Sequence, residues 1–149
     1  MGKSCVQNDI HLIFATKNRI NSIVTAVESR LYCYLGGIAK GSNSPILIVN
    51  GTQNHIHVLL RLHPSIALAT LVKELKSYST QWMKKQGHKS FAWQIGYGAF
   101  SVSLSALEKV RKYIELQKIH HQEFGFKAEI DQLISRGRLR WSFLEDEMG

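Results

Sequence analysis

Apolar residues run almost unbroken through Asp9–Thr16 (DIHLIFAT), and the polar cluster Lys17-Asn18-Arg19 closes the run, which predicts a short strand. From Ser22 the spacing becomes helical. Ile23, Val24, Val27, Leu31, Tyr34, Leu35 and Ile38 fall on one face, with Ser22 as N-cap and Gly36-Gly37 or Gly41 as stops. Pro45–Asn50 (PILIVN) and His55–Leu62 (HIHVLLRL) predict two further strands joined by a hairpin turn at Gly51–Asn54. After His63-Pro64-Ser65, a second amphipathic helix carries Leu68, Leu71, Val72, Leu75, Ser79, Trp82 and Met83 on its apolar stripe and ends at Gly87. Phe91–Gly96 reads as a linker anchored by Trp93, and Tyr97–Ser103 as a fourth strand loosened by glycine. Ser105 and Glu108 have capping-box spacing, which opens a third helix to about His120, with Leu107, Val110, Ile114 and Leu116 as its packing residues. Residues 126–136 predict a small extra helix.

The order strand, helix, strand, strand, helix, strand is the split βαβ pattern. The expected fold class is therefore α+β: a ferredoxin-like, largely antiparallel sheet with helices on one face, plus an appended C-terminal helix. With 149 residues and no repeat or long Gly/Ser linker, the chain reads as a single domain over 1–149. Hydrophobic residues are 44% and charged residues 20%, values of a globular chain, which exclude disorder and low complexity as overall descriptions. Cys5 and Cys33 make neither a disulfide framework nor a CxxC zinc spacing, and there is no leader or membrane-length apolar run. A cytoplasmic protein with no membrane partner is expected.

Charge adds a partner class. Lys plus Arg exceeds Asp plus Glu by 19 to 11, and the excess is local: residues 1–60 carry +3, residues 61–118 carry +7 and residues 119–149 carry −2. A basic middle section suits a polyanion, and nucleic acid is the commonest. On the second helix Lys73, Lys76 and Lys84 lie off the apolar stripe near Ser77 and Thr80, suited to phosphate contacts, and Lys17 and Arg19 are further candidates.

The triplet His55-Ile56-His57 carries the sharpest chemical signal. Side chains alternate along a strand, so both imidazoles and Arg61 share one face, the histidines about 7 Å apart along the chain, while Ile56, Val58 and Leu60 take the other. Two such imidazoles can chelate one divalent ion, although a bare HxH is also common as two surface histidines. On the third helix Lys109, Tyr113 and Gln117 follow at i, i+4 and i+8, along one face that could lie over the histidines. Spacing alone leaves open whether these elements meet.

Taken together, HLIFATKNR at 11–19, NHIHVLLRL at 54–62, LVKELKSYSTQWMKK at 71–85, WQIGYGAFSVS at 93–103 and VRKYIELQKIHH at 110–121 form an ordered set. In this set the chain resembles the single-tyrosine HUH transposases of small insertion sequences and their domesticated relatives. The resemblance covers about residues 11–121 and leaves 122–149 as a C-terminal extension. That family commonly has an acidic residue before the first histidine, where this chain has Asn54.

The resemblance implies a metal-dependent transposase acting on single-stranded, hairpin-forming DNA. His55, His57 and the Gln117 amide oxygen would be the metal ligands and Tyr113 the nucleophile. Mixed nitrogen and oxygen ligation of this kind favours Mg or Mn as the divalent cofactor. His120 and His121 are weaker alternative ligands. The resemblance also implies a homodimer with composite active sites, Tyr113 of one chain reaching the histidines of the other, and a split βαβ sheet has edges for two-fold pairing to cover. Two alternatives stay open. One is a non-catalytic nucleic-acid-binding module on the same sheet, against which the lack of aromatics on the third strand counts. The other is a domesticated relative that processes chromosomal repeats by the same chemistry.

Overall fold

The computed structural model describes residues 2–119 together with Ala128, Asp131 and Gln132. The sheet has four antiparallel strands in the order β2-β3-β1-β4, where β1 is Asp9–Ala15, β2 Ile46–Gly51, β3 His55–Arg61 and β4 Gly98–Val102. This is the expected split βαβ sheet. Helices α1 (Thr25–Gly41) and α2 (Leu68–Lys85) supply its two crossovers, and α3 (Leu107–Glu115) follows β4.

Strand alternation sorts the core. Ile10, Leu12 and Phe14 of β1 and Ile56, Val58 and Leu60 of β3 point to one face, where they meet Val27, Leu31 and Leu35 of α1 and Leu71, Leu75 and Met83 of α2. Each such fully buried aliphatic side chain contributes about 1.5–3 kcal/mol over leaving it in water. Tyr34 stacks on Trp82 at 5.3 Å to join α1 to α2. Phe14, Phe91 and Trp93 close the lower end of this layer edge to face.

Four sequence expectations are corrected. Ser22 does not cap α1, whose N-cap is the extended Val24 (φ −71°, ψ 152°), because Ile23 is fully buried and its amide is bonded to Gln53 O at 2.9 Å, which delays the start of the helix. Gly36-Gly37 does not stop α1, which runs on to Gly41 because Leu31, Leu35 and Ala39 continue its buried stripe. The Ser105 capping box does not form, since a 3-10 turn at Leu104–Ala106 precedes α3 and its N-cap is Ala106. The third helix also ends earlier than expected, at Glu115. Leu116 departs from helical geometry (φ −93°, ψ 15°) and is 44% exposed rather than packed, before a further helical turn over 117–119. The small helix expected over 126–136 falls almost wholly outside the described residues.

Helices α1 and α2 share one face, and the appended α3 takes the other. By strand register β1 and β3 turn His11, Ile13, His57 and Leu59 to the side opposite α1 and α2, and α3 packs there against β2 and β3. Among the described residues no helix is long and apolar enough to cross a membrane.

Gly37 sits exposed in the middle of α1, and a Cβ built there meets nothing within 4 Å. Gly37→Ala should therefore stabilise the protein by about 0.5–1 kcal/mol through restored helix propensity. A denaturant midpoint that rises with an unchanged slope is the expected reading.

Candidate functional site

The site begins at the tight turn between β2 and β3. Gly51 is required here, because a Cβ at that position would run into the carbonyl oxygen of His55. The turn closes through Thr52 N donating to His55 O at 3.0 Å. It also brings side chains onto the first histidine: His55 Nδ1 lies 2.8 Å from Asn54 Oδ1 and 3.0 Å from Thr52 Oγ1. Amide and hydroxyl oxygens both accept, so the network assigns the proton to Nδ1 and orients the ring with Nε2 as its basic nitrogen. Asn54 thus gives the ring an acceptor where the resembled family commonly has a carboxylate.

Two residues on, His57 points to the same face. Its ring centroid lies 5.3 Å from that of His55, with the rings steeply inclined at 70°. His57 Nδ1 is 2.9 Å from His11 Nε2 on β1. Neither histidine is on an open face: both are fully buried, because α3 covers this side of the sheet.

Tyr113 of α3 stands over the pair. Its ring lies 5.8 Å from His57 at 79° and 6.0 Å from His11 at 71°, edge to face in both cases. Gln117 is fully buried in the turn after α3, and its Nε2 donates to Tyr113 O at 3.4 Å, which turns the amide oxygen the other way. The structure therefore brings His55, His57 and Tyr113 together within one chain, with Gln117 one turn beyond. Spacing alone leaves open whether these elements meet, and the resemblance implies that Tyr113 reaches the histidines of a second chain.

Buried Ile114 packs α3 on the sheet, and polar contacts fix its C-terminal end. Asn50 Nδ2 donates to Ile114 O and Glu115 O, both at 3.0 Å, and so satisfies carbonyls left over at the helix end. Lys118 Nζ donates to Asn50 Oδ1 at 2.7 Å and pairs with Glu28 of α1 at 2.6 Å. Burial, and then the Glu28 charge, push the hydroxyl of neighbouring Tyr32 above its ordinary value, so it stays neutral beside this pair. Sequence reasoning missed Asn50 and Lys118; the single trace of Asn50 is a polar residue at the end of the PILIVN run.

At the far end of the same face Arg61 binds Asp9, Nε to Oδ1 at 2.8 Å. Burial raises the Asp9 carboxyl, but hydrogen bonds from Arg61 and Gln7 with the Arg61 charge outweigh it, and the net position is below the usual carboxylate range. Four residues of strand, about 13 Å, separate this carboxylate from His57. Asp9 is too distant to join His55 and His57.

The basic residues divide. Lys73 and Lys84 are exposed on α2. Lys76 is not a solvated cation, since its Nζ donates to Gln94 O at 2.7 Å and Gly96 O at 2.5 Å and so ties the 94–96 segment to α2. Beside it a groove of about 630 Å³ lies between α2 and residues 92–97, with Lys73, Ser77, Thr80, Ile95 and Tyr97 in its wall. Arg19 is half-buried in a left-handed turn (φ 53°) at the end of β1. Thr16 N bonds Asn54 O at 2.8 Å, which sets this turn against the one that carries His55. His120 and His121 lie outside the described residues.

For a metal ion at the histidines, the Gln117 amide in the turn after α3 is the candidate oxygen ligand. Among the described residues no group of three or more His, Cys, Asp and Glu side chains is placed to hold one. Two imidazoles with engaged Nδ1 atoms and one carboxamide oxygen are a chemically suitable donor set for a divalent ion, with positions left for substrate oxygens.

Comparison with known proteins agrees in kind. Residues 4–117 match the family model described as transposase, IS200 like. The chain is 29% identical over 118 residues to the ISDra2 transposase TnpA of Deinococcus radiodurans, covering 74% of this chain and 84% of that protein. A crystal structure of a candidate transposase from Deinococcus radiodurans R1 superposes with a TM-score of 0.61 at 27% identity, covering 78% of this chain and 98% of that one. A REP-associated tyrosine transposase bound to a REP hairpin shares the fold, with a TM-score of 0.59 at 14% identity over 85% of this chain and 74% of that one.

Asn50→Ala removes the side chain that joins α3 to β2, and should cost about 1–3 kcal/mol in lost and unsatisfied hydrogen bonds. Hydrogen exchange should quicken at the α3 amides well before those of β1 and β3. Equal protection of α3 in variant and wild type would show that the clamp contributes nothing.

Proposed function

Because this chain belongs to the IS200-like transposase family, whose members are tyrosine transposases and DNA strand-transfer enzymes, we propose that it cleaves and rejoins single-stranded DNA through Tyr113. His55, His57 and Gln117 would hold a divalent ion, Mg or Mn, in a cytoplasmic enzyme. The observation that carries the reading is the Tyr113 ring set 5.8 Å from His57, on the buried histidine face and inside the span matched to the family.

The chemistry follows from the groups present. The Tyr113 Oη attacks the scissile phosphorus, an Oη–P bond forms, and the P–O3′ bond breaks to release a 3′-hydroxyl. The product is a 5′-phosphotyrosine, and a later attack by a 3′-hydroxyl restores both groups. One phosphodiester replaces another at each stage, so no ATP is required. A phenol with an ordinary pKa near 10 is a poor nucleophile at neutral pH. A bound divalent ion supplies Lewis acidity and a template for the phosphate oxygens. Asn54 and Thr52 orient His55, His11 supports His57, and α3 keeps Tyr113 at the edge of the pair.

Lys73, Lys84 and Arg19 are proposed contacts to phosphates of the DNA, and Lys76 acts by fixing the segment that forms the groove wall. A hairpin-forming substrate is supported by the REP-associated transposase, which has this fold and was solved bound to a hairpin. The non-catalytic alternative loses support, because the strand face that would read bases is buried under α3. A role in processing chromosomal repeats uses the same residues and is separated from transposition by the DNA that flanks the gene.

A homodimer with shared sites is compatible with this packing. Helix α3 follows β4 by the short Ser103–Ala106 link, where Leu104 is 72% exposed, and an exchanged α3 would rebuild the same contacts across a two-fold axis.

Labelled single-stranded DNA tests the chemistry. Wild type should form a covalent adduct, Tyr113→Phe should form none while retaining fold and DNA binding, and chelation should block the adduct until Mg or Mn is restored. An adduct at wild-type level in the Phe variant would remove Tyr113 from the mechanism. Mixing Tyr113→Phe with His57→Ala tests the dimer: recovery to about a quarter of wild-type activity marks sites shared between subunits. No recovery in a freely exchanging mixture marks sites complete within one chain.

A further inference from the structure

His11 belongs to none of the groups that would touch DNA or metal, yet it lies at the centre of the site. It is 3% exposed, on β1, between Leu59 of β3 and Phe100 of β4 in strand register. A buried imidazole costs stability unless its polar atoms are bonded. Its Nε2 is directed at His57 Nδ1 at 2.9 Å, with ring centroids 5.1 Å apart, and its ring meets that of Tyr113 at 6.0 Å and 71°.

The contact between the two rings admits a single proton. A neutral imidazole has one N–H and one basic nitrogen. Where His11 donates from Nε2, the His57 proton sits on Nε2, which then has no lone pair to give a metal. Where His57 donates from Nδ1, its Nε2 becomes the basic atom, as the Asn54 contact already arranges for His55.

We propose that His11 is a positioning residue that accepts the Nδ1 proton of His57 and thereby fixes the tautomer and ring orientation in which His57 can ligate a divalent ion. The proposal rests on reading His57 as a metal ligand. Ligating histidines commonly donate their second N–H to a carboxylate or carbonyl. A neutral imidazole in that place holds the ring without adding negative charge beside an incoming phosphodiester. Edge contact with Tyr113 lets the same ring set the spacing between nucleophile and ligand.

The test reads the tautomer in the metal-free protein and then the affinity for Mn²⁺. Long-range proton–nitrogen correlation spectra of wild type should show His57 protonated on Nδ1 and His11 basic at Nε2. His11→Phe, which fills the space but accepts nothing, should move the His57 proton to Nε2. His11→Gln, whose amide oxygen can reach the same position, should keep it on Nδ1. Calorimetric Mn²⁺ affinity should fall about 10- to 100-fold in His11→Phe and stay within about threefold in His11→Gln. A wild-type His57 protonated on Nε2 overturns the proposal without any variant. So does a His11→Phe protein that keeps both the Nδ1 proton and wild-type Mn²⁺ affinity. Wild type that shows the expected tautomer but binds no Mn²⁺ overturns the metal reading of the site, and supports the hold of His11 on His57.

Discussion

The two-residue repeat of β3 is the constraint on which the rest depends. Its even positions, Ile56, Val58 and Leu60, are fully buried against α1 and α2, and this fixes His55 and His57 on the opposite side. A slip of one residue against β1 would turn His55 and His57 into the apolar core and Ile56, Val58 and Leu60 toward α3. The hydrophobic layer therefore acts on the chemistry indirectly: it fixes a register, and the register fixes which atoms meet Tyr113.

Polar contacts then refine what the register delivers. Each histidine has a neighbour at Nδ1: Asn54 and Thr52 for His55, His11 for His57. These partners come from the adjoining turn and from the next strand, so the ring orientations are set by backbone that the core already holds rigid. The helix above is held by Asn50 and Lys118 at its C-terminal end, where unsatisfied carbonyls need donors. Among these contacts the one bond between unlike charges is the partly exposed Lys118–Glu28 pair, and such pairs contribute little individually. The clamp works through helix-end hydrogen bonds.

The two faces of the sheet divide the work. On one side α1 and α2 form the hydrophobic layer, and the outer surface of α2 presents Lys73 and Lys84 with the groove beside residues 92–97. On the other side α3 encloses a small polar centre, with the Asp9–Arg61 pair as a compensated charge at its margin. Lys73 and Lys84 thus lie on the layer away from the tyrosine, so a strand held by α2 would have to pass around the sheet to reach the histidines.

The sequence by itself determined what depends on local periodicity. Alternation placed His55 and His57 on one face, helical spacing located α2 almost to the residue, and the order of elements implied the antiparallel split βαβ sheet. It also placed Tyr113 one turn from Gln117. The tertiary structure alone decided the rest, because those features depend on contacts between residues far apart in the chain. The start of α1 is set by Ile23 bonding to Gln53, which overrides the capping preference of Ser22. Lys76, which by spacing resembles its neighbours Lys73 and Lys84, is drawn to the Gln94 and Gly96 carbonyls because the 92–97 segment passes beside it. His11 reads locally as one polar residue in an apolar strand, and it gains its place from the pairing of β1 with β3, 46 residues later. Local pattern can say which face a side chain occupies, but the identity of what faces it there depends on how distant segments pair and pack.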